Sequence, residues 1–195
     1  LDLMYHAFTI ALCVPRRWYG TDAIPQEPAI IVANHQSSLD IPVVGALMQK
    51  DPHLWYAMEY YARHPVFGVF LGRLGISVDV AKPSASAKSL LRGMRLLAQD
   101  PRHVIIFPEG GRYTDGSIHD FYRGFATLAR QTGRPVAPIY MPNNGAIYSP
   151  QSYLVSYYPM IAQVGETFYL HEDETDQEFV ERVRNWFIKQ AETWK

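Results

Sequence analysis

Short apolar runs, separated by longer segments of mixed polarity, form the main pattern along the chain. The runs predict six strands, near residues 28–33, 53–58, 75–80, 103–107, 135–140 and 159–164. Helical patterns lie between most of these runs. Alternation of strand and helix predicts an α/β fold, here one domain with a largely parallel sheet flanked by helices.

Two further segments repeat apolar residues at helical spacing, which predicts amphipathic helices whose apolar faces pack in the core. A loop without assignable chemistry is predicted over residues 143–151. The helical sets are Leu90, Leu91, Met94, Leu97 and Ala98, and near the C-terminus Phe179, Val180, Val183, Trp186 and Phe187.

His35 and Asp40 follow the predicted strand at 28–33 and are the first candidates for chemistry. Ser37 and Ser38 occupy the place of a helix N-cap, which puts His35 in the loop and Asp40 in the first helical turn. Bent at this loop, the two side chains can face each other. The carboxylate then accepts one ring N–H and leaves the other nitrogen to take a proton. The alternative is a capped helix with a loop histidine.

A second polar strand end follows the run at 103–107, where the chain continues Pro108, Glu109, Gly110, Gly111 and Arg112. Glycines allow close approach of a ligand to the backbone, and a guanidinium is suited to phosphate. Glu109 could hold that guanidinium or a substrate hydroxyl. The alternative is a turn closed by a surface ion pair. Two polar strand ends in one sheet favour a single shared site.

Together these segments resemble the glycerolipid acyltransferase family, whose best-known members convert lysophosphatidic acid to phosphatidic acid. The NHxxxxD motif of the family is matched by Asn34, His35 and Asp40. Its FPEGTRS motif appears at residues 107–113 as FPEGGRY, with glycine and tyrosine in place of threonine and serine. The stretches 121–129 and 135–139 resemble two later family motifs, FKxGAxxLA and PVxPV. Order and spacing agree over residues 30–166, and the fold implied is glycerol-3-phosphate acyltransferase-like.

The resemblance has departures at the second family motif. That motif usually ends in an arginine thought to meet the acceptor phosphate, and Val80 stands there in this chain. Basic residues usual upstream are also missing from residues 57–60. Any phosphate pocket must then use Arg112, with Arg73, Lys82 or Arg123 as possible additions.

The resemblance implies direct acyl transfer from acyl-CoA or acyl carrier protein to a lysophospholipid, with no bound cofactor. His35 would be the general base and Asp40 its partner, while Glu109, Gly110, Gly111 and Arg112 would bind substrate. Lysophosphatidic acid is the first candidate acceptor. The alternatives are another lysophospholipid, glycerol 3-phosphate or an acylated amine as acceptor, and a catalytically silent lipid-binding module.

Composition fits one globular domain, since 195 residues with 48% hydrophobic content can build a single core. The formal net charge of −1 argues against nucleic acid as a partner. The lone cysteine, Cys13, excludes an intramolecular disulfide. No His or Cys cluster has the spacing of metal ligands.

The first 19 residues are set apart from the predicted acyltransferase domain, residues 20–195. An almost uncharged run, residues 3–14, is followed by Arg16, Arg17, Trp18 and Tyr19, a grouping typical of membrane interfaces. The run is too short to span a bilayer, which takes about 20 residues. The resemblance to acyltransferases, whose substrates both partition into lipid, implies peripheral or monotopic attachment to the cytoplasmic face of a membrane. A buried core helix is the alternative, and the chain could also be a fragment.

Overall fold

The computed structural model describes residues 2–48, 52–58, 75–78, 91, 94–95, 97, 100–149 and 154–194. Within these residues seven strands form one sheet, in the order β1-β7-β6-β2-β5-β3-β4. The strands are β1 (Arg16–Tyr19), β2 (Ile30–Ala33), β3 (His53–Met58), β4 (Gly75–Val78), β5 (His103–Ile106), β6 (Val136–Tyr140) and β7 (Met160–Val164). The helices are α1 (Asp2–Ala11), α2 (Asp40–Leu47), α3 (Gly124–Thr132), α4 (Asn144–Ile147) and α5 (Asp176–Thr193), with a 3-10 turn at Thr21–Ala23.

The predicted α/β fold with a largely parallel sheet is confirmed. Strands β2 to β6 run parallel to one another, while β7 is antiparallel to β6 and parallel to β1. All six predicted strands form. The sequence pattern missed β1, because an edge strand made of Arg16, Arg17, Trp18 and Tyr19 lacks the apolar run of a central strand.

Central strands are buried on both faces, which explains their continuous apolar sequences. Every residue of β2, β5 and β6 is buried. Because successive strand side chains point to opposite faces, Ile31 joins one core cluster while Ile30 and Val32 join the other. Helix α2 covers the first face, and α3 and α5 cover the second.

Helix α5 confirms the C-terminal helix prediction. It begins at a capping box between Thr175 and Glu178, and it buries Phe179, Val183 and Phe187. Of the helix predicted over residues 90–98, the structure describes 91, 94, 95 and 97, all of them helical.

The N-terminal segment packs on the rest of the domain. Tyr5 of α1 is buried, and its hydroxyl accepts the indole N–H of Trp55 at 3.0 Å. A Cβ at Gly45 of α2 would stand 2.6 Å from the Tyr5 ring, so α1 and α2 approach closely there. Among the described helices, none combines the length and apolar character needed to cross a bilayer. The membrane role of residues 1–19 stays a prediction.

Strand order determines where the loops meet. Strand β2 lies between β5 and β6, and the three are parallel, so the loops that follow them share one edge of the sheet. Strands β1 and β7 are parallel to each other and antiparallel to the other five strands, so both begin at that same edge. We refer to it as the site edge.

Candidate active site

His35 and Asp40 lie at the site edge in direct contact. His35 Nδ1 is 2.7 Å from Asp40 Oδ2, the His35 side chain is 16% exposed, and the Asp40 side chain is fully buried. Asp40 Oδ2 also accepts the backbone N–H groups of Gln36 and Ser37, at 2.6 and 2.8 Å. Because Asp40 acts as an acceptor throughout, we assign the ring proton to Nδ1. Within the described residues Nε2 makes no hydrogen bond, so it is the ring nitrogen that could accept a proton.

Asp40 lies in the first turn of α2, as the sequence predicted, but the serine N-cap prediction is wrong. The helix begins at Asp40 with Leu39 as its N-cap residue and no capping side chain. Ser37 Oγ instead accepts the Leu39 N–H and donates to Tyr148 O, at 3.2 and 2.5 Å. Within this turn the Asp40 carboxylate accepts the N–H groups of Gln36 and Ser37, and the Ser37 hydroxyl accepts that of Leu39.

Asn144, which the sequence analysis missed, is the fourth donor to Asp40. Its Nδ2 lies 2.8 Å from Asp40 Oδ1, and the residue is fully buried at the start of α4. In the described part of the chain, Asn144 Oδ1 is buried without a hydrogen-bond partner. The prediction of a loop without chemistry over residues 143–151 is therefore wrong in its first half. The available signal was a polar residue at a third strand end, after β6.

Asn34 clamps the loop that carries His35 to the end of β6. Its amide accepts the Met141 N–H at 2.8 Å and donates to Met141 O at 2.9 Å. This pair of bonds continues the β2–β6 pairing one step beyond the strand. Asn34 therefore positions the histidine loop, and its described side-chain hydrogen bonds are made to the protein backbone.

The imidazole of His35 is also held by aromatic stacking. Its ring lies on that of Phe107, with centroids 4.1 Å apart and planes 11° from parallel. Phe107 stacks in turn on Trp55 at 5.9 Å. Stacking on Phe107 restrains the plane of the imidazole ring, and the bond to Asp40 restrains the rotation of the ring within that plane. The orientation of the His35 side chain is therefore restrained in both respects.

Glu109 joins the loops after β2 and β5 through backbone groups. Its two carboxylate oxygens accept the N–H of His35 at 2.9 Å and the N–H of His119 at 3.1 Å. Burial raises the pKa of the Glu109 carboxyl above its usual range, although the two N–H bonds act in the opposite direction. The described hydrogen bonds of Glu109 thus hold the histidine loop, and none is made to Arg112.

The turn at Gly110 requires glycine. Its φ is +65°, and a Cβ there would stand 2.5 Å from the ring of Tyr122. The Gly110 N–H donates to Phe107 O at 3.2 Å. The next amide along this turn belongs to Gly111, at which a Cβ would be 3.2 Å from Tyr113. Tyr113 N–H donates to His35 O at 2.9 Å, so the turn is bonded to the loop that carries His35.

Arg112 lies at the rim of the site and contacts the loop that carries His35. It is exposed, and its Nη1 donates to Ser38 Oγ at 2.8 Å. Arg123, also exposed, precedes α3. The other candidates for the phosphate pocket, Arg73 and Lys82, and the substituted position Val80 lie outside the described residues.

A second histidine–carboxylate pair lies beyond the turn. His119 Nε2 is 2.9 Å from Asp115 Oδ2, and the His119 ring stacks on Tyr113 at 3.7 Å. Both members are solvent-accessible, with side-chain exposures of 34% and 55%. Among the described residues no group of three His, Cys, Asp or Glu side chains is arranged to hold a metal ion.

Sequence comparisons relate the chain to acyltransferases. A family model described as acyltransferase matches residues 16–142. The chain is 26% identical to a 1-acyl-sn-glycerol-3-phosphate acyltransferase of Saccharomyces cerevisiae, over 94% of this chain and 62% of that protein. It is 30% identical to the enzyme of that name from Pseudomonas aeruginosa, over 68% of this chain and 51% of that protein. The chain thus spans less than two thirds of each of these relatives.

A crystal structure provides an independent comparison of the fold. The 1-acyl-sn-glycerophosphate acyltransferase of Thermotoga maritima superimposes with a TM-score of 0.84 at 20% sequence identity. The match covers 99% of this chain and 77% of that one. The whole described architecture, including β1 at the sheet edge, therefore belongs to a fold already seen in a solved protein.

Proposed function

Because this chain belongs to the acyltransferase family, we propose that it transfers a fatty acyl group from a thioester donor to the free hydroxyl of a lysophospholipid. Lysophosphatidic acid is the first candidate acceptor, with phosphatidic acid as product. One observation carries the proposal: a restrained His35–Asp40 pair at 2.7 Å, whose Nε2 is left for a substrate at the site edge.

The proposed reaction needs no covalent enzyme intermediate. His35 Nε2 removes the proton from the acceptor hydroxyl as its oxygen attacks the thioester carbonyl. The C–O bond forms, the C–S bond breaks, and the proton passes from the imidazolium to the departing thiolate. Asp40 holds the Nδ1–H tautomer and stabilises the positive imidazolium. A general base of this kind accelerates such a step by about 10²–10⁴-fold.

The oxyanion formed during attack needs a hydrogen-bond donor near His35. The Gly110 N–H is already used within its turn, so the Gly111 N–H is the better candidate. The donor would be acyl-CoA or acyl carrier protein, each acting as a substrate and not as a bound cofactor.

Arg112 is the proposed contact for the acceptor phosphate. Its guanidinium is exposed at the rim and is oriented by Ser38. Glu109 would act through the backbone of the histidine loop, and Gly110 through the shape of the turn. Val80 at the place of the family arginine favours the same chemistry on a less charged acceptor as the second candidate.

The lipid nature of the acceptor places the enzyme at a bilayer surface. We infer peripheral or monotopic attachment on the cytoplasmic side, with residues 1–19 taking part. Nucleic acid has no part in this proposal.

The test combines radiolabelled acyl-CoA and acyl carrier protein with a panel of acceptors: lysophosphatidic acid, zwitterionic and neutral lysolipids, and glycerol 3-phosphate. Wild-type protein should acylate at least one, and His35→Ala should lose ~10²-fold or more of the turnover. His119→Ala is the matched control, since it removes the other carboxylate-paired histidine and should leave turnover unchanged. No transfer to any acceptor by folded protein would favour the silent lipid-binding module. Near wild-type turnover by folded His35→Ala would exclude the mechanism.

A further inference from the structure

Exposed apolar side chains concentrate at the site edge. Within the described residues, most of the large apolar side chains that face solvent lie there. Contiguous exposed apolar surface marks interaction sites, whereas single exposed residues do not. The set includes Ile10, Ile41, Tyr122, Leu154, Tyr157 and Tyr158.

The densest group is residues 154–158, which we name the apolar loop. Leu154 is 78% and Tyr157 75% exposed, and Val155 and Tyr158 are exposed as well. The N–H of Ser156 donates to Ile147 O at 2.8 Å. The loop backbone is thus fixed to the end of α4 while its apolar side chains point away from the protein.

Hydrogen bonds place the apolar loop near His35 and Asp40. It leads into β7, where Met160 N–H donates to Pro15 O at 2.7 Å, just before β1 begins. Asn143, next to the Asp40 partner Asn144, donates from its side chain to Pro159 O at 3.4 Å. The loop, the end of α1 and the His35 site therefore lie at the same edge of the sheet.

The charge distribution at this edge favours a lipid surface. The sequence has no charged residue between Arg134 and Glu166, so the apolar loop lies in a long uncharged stretch. Beside it, Ile10 is 56% exposed at the end of α1, and Arg17 is exposed on β1. Tyrosines and aliphatic side chains next to cations are the composition of a bilayer interface with anionic headgroups.

We propose that the apolar loop inserts into the surface of an anionic phospholipid bilayer, with Ile10 and Arg17 contacting the same bilayer beside it. The inference rests on the proposed function, because a lipid acceptor would then reach His35 from the membrane without crossing water. It adds a second attachment, from the loop that precedes β7, to the one expected for residues 1–19.

Insertion is measured with a nitroxide or an environment-sensitive fluorophore. The label is placed by Val155→Cys in a Cys13→Ser background, which leaves a single cysteine. The control is Tyr169→Cys, because Tyr169 is exposed beyond the bridge of Phe168 to Val136, at the opposite edge of the sheet. With phosphatidylcholine–phosphatidylglycerol vesicles, the label at 155 should enter the acyl region while that at 169 stays in water. Two aqueous labels on bound protein would overturn the proposal.

Affinity for the same vesicles gives the second measurement. Leu154→Ser combined with Tyr157→Ser should weaken co-sedimentation by at least about ten-fold, because two apolar side chains lose their lipid contact. Arg17→Gln should weaken binding by about five-fold on anionic vesicles and leave it unchanged on pure phosphatidylcholine. Tyr169→Ser should bind like wild type. Equal binding by the loop variant and wild type would refute the inserted loop.

Activity separates this inference from the proposed function. The vesicles above contain neither acceptor nor donor, so binding is measured even if acyl transfer fails. If transfer is present, the loop variant should lose activity on vesicle-borne acceptor and keep it on a short-chain, monomeric acceptor. Equal losses on both would show damage to the site and contradict a docking role.

Discussion

At the scale of single residues, the site is a chain of buried contacts behind one accessible nitrogen. His35 is held by Asp40, and Asp40 is held by two backbone N–H groups and by Asn144. Each bond to a charged group contributes about 1.5–3 kcal/mol when both partners are buried. The orientation of the His35 imidazole thus depends on Asp40 and on the three groups that donate to Asp40 from behind it.

Asn144 provides the sharpest test of this dependence. Asn144→Ala removes a donor to Asp40, and it also removes the buried Oδ1, which has no hydrogen-bond partner among the described residues. Loss of the donor should lower the free energy of unfolding by ~1–3 kcal/mol, and loss of the buried Oδ1 should raise it by a similar amount. The stability of the protein should therefore change little. We expect kcat to fall by about ten-fold with KM unchanged, because a positioning residue acts on the base and not on substrate binding.

The neighbouring Asn143→Ala is the control for that variant. Its side chain donates to Pro159 O at 3.4 Å and makes no described contact with Asp40. Steady-state kinetics and thermal unfolding are measured on both proteins. A loss of kcat in Asn143→Ala as large as in Asn144→Ala would contradict a specific role for Asn144.

Arg112 carries the prediction about the acceptor. Arg112→Ala should cost ~2–3 kcal/mol in kcat/KM with lysophosphatidic acid, because a charge-assisted contact to phosphate is lost. Arg123→Ala, an exposed arginine at the start of α3, should have a much smaller effect. Val80→Arg should tighten binding of a phosphomonoester acceptor. Unchanged kinetics in Arg112→Ala, with higher activity on an uncharged lysolipid, would favour the second acceptor class.

At the scale of elements, α1 combines a core face and an exposed face. Tyr5 packs against Gly45 and Trp55, whereas Ile10 is exposed. Deleting residues 1–19 should weaken membrane association more than it damages the site. The deletion also removes Tyr5 and strand β1, so single substitutions separate attachment from folding more cleanly.

Two substitutions in α1 should therefore have opposite effects. Tyr5→Ala should lower the free energy of unfolding by ~3–5 kcal/mol, the usual cost of removing a buried aromatic ring. Ile10→Gln should leave stability within ~0.5 kcal/mol of wild type, as surface substitutions do, and should weaken liposome co-sedimentation. Chemical denaturation and vesicle pelleting measure the two quantities. If both Ile10→Gln and the truncated protein pelleted with vesicles as well as wild type does, residues 1–19 would be part of the core and not a membrane attachment.

At the scale of the whole molecule, an ion pair at the edge of the sheet opposite the site edge makes the free energy of unfolding depend on pH. Glu174 accepts two hydrogen bonds from Arg182, at 2.8 and 2.7 Å. These bonds hold the pKa of the Glu174 carboxyl below its ordinary value of 4.5. A carboxyl whose pKa is lower in the folded state stabilises the protein above its unfolded pKa, and this stabilisation is lost as pH falls through the folded one.

Glu174→Gln should reveal that contribution. At neutral pH the variant should be less stable than wild type by up to ~1 kcal/mol, since the partner Arg182 is partly solvent-screened. Below the ordinary carboxyl pKa the two unfolding curves should converge. Glu172→Gln, a change at an exposed position nearby, is the control. A constant difference between Glu174→Gln and wild type across the acid range would contradict the assignment.

The sequence by itself determined six of the seven described strands, the fold class and the candidate pair of His35 and Asp40. Strands buried on both faces need continuous apolar runs, and β2, β5 and β6 supply them. Polar residues directly after such runs stand out, and for that reason His35, Asp40 and Glu109 could be found. These signals are local, because each depends on residues a few positions apart.

Only the tertiary structure decided which distant groups meet. Asn144 reaches Asp40 from 104 residues away, because β6 pairs with β2 in the sheet. Glu109 binds the backbone of His35 and not Arg112, because β5 pairs with β2 on its other side. Strand β1 pairs with β7 at the outer side of the sheet through backbone hydrogen bonds, which do not depend on the side chains. Strand order is a property of the whole chain, and no local spacing of side chains encodes it.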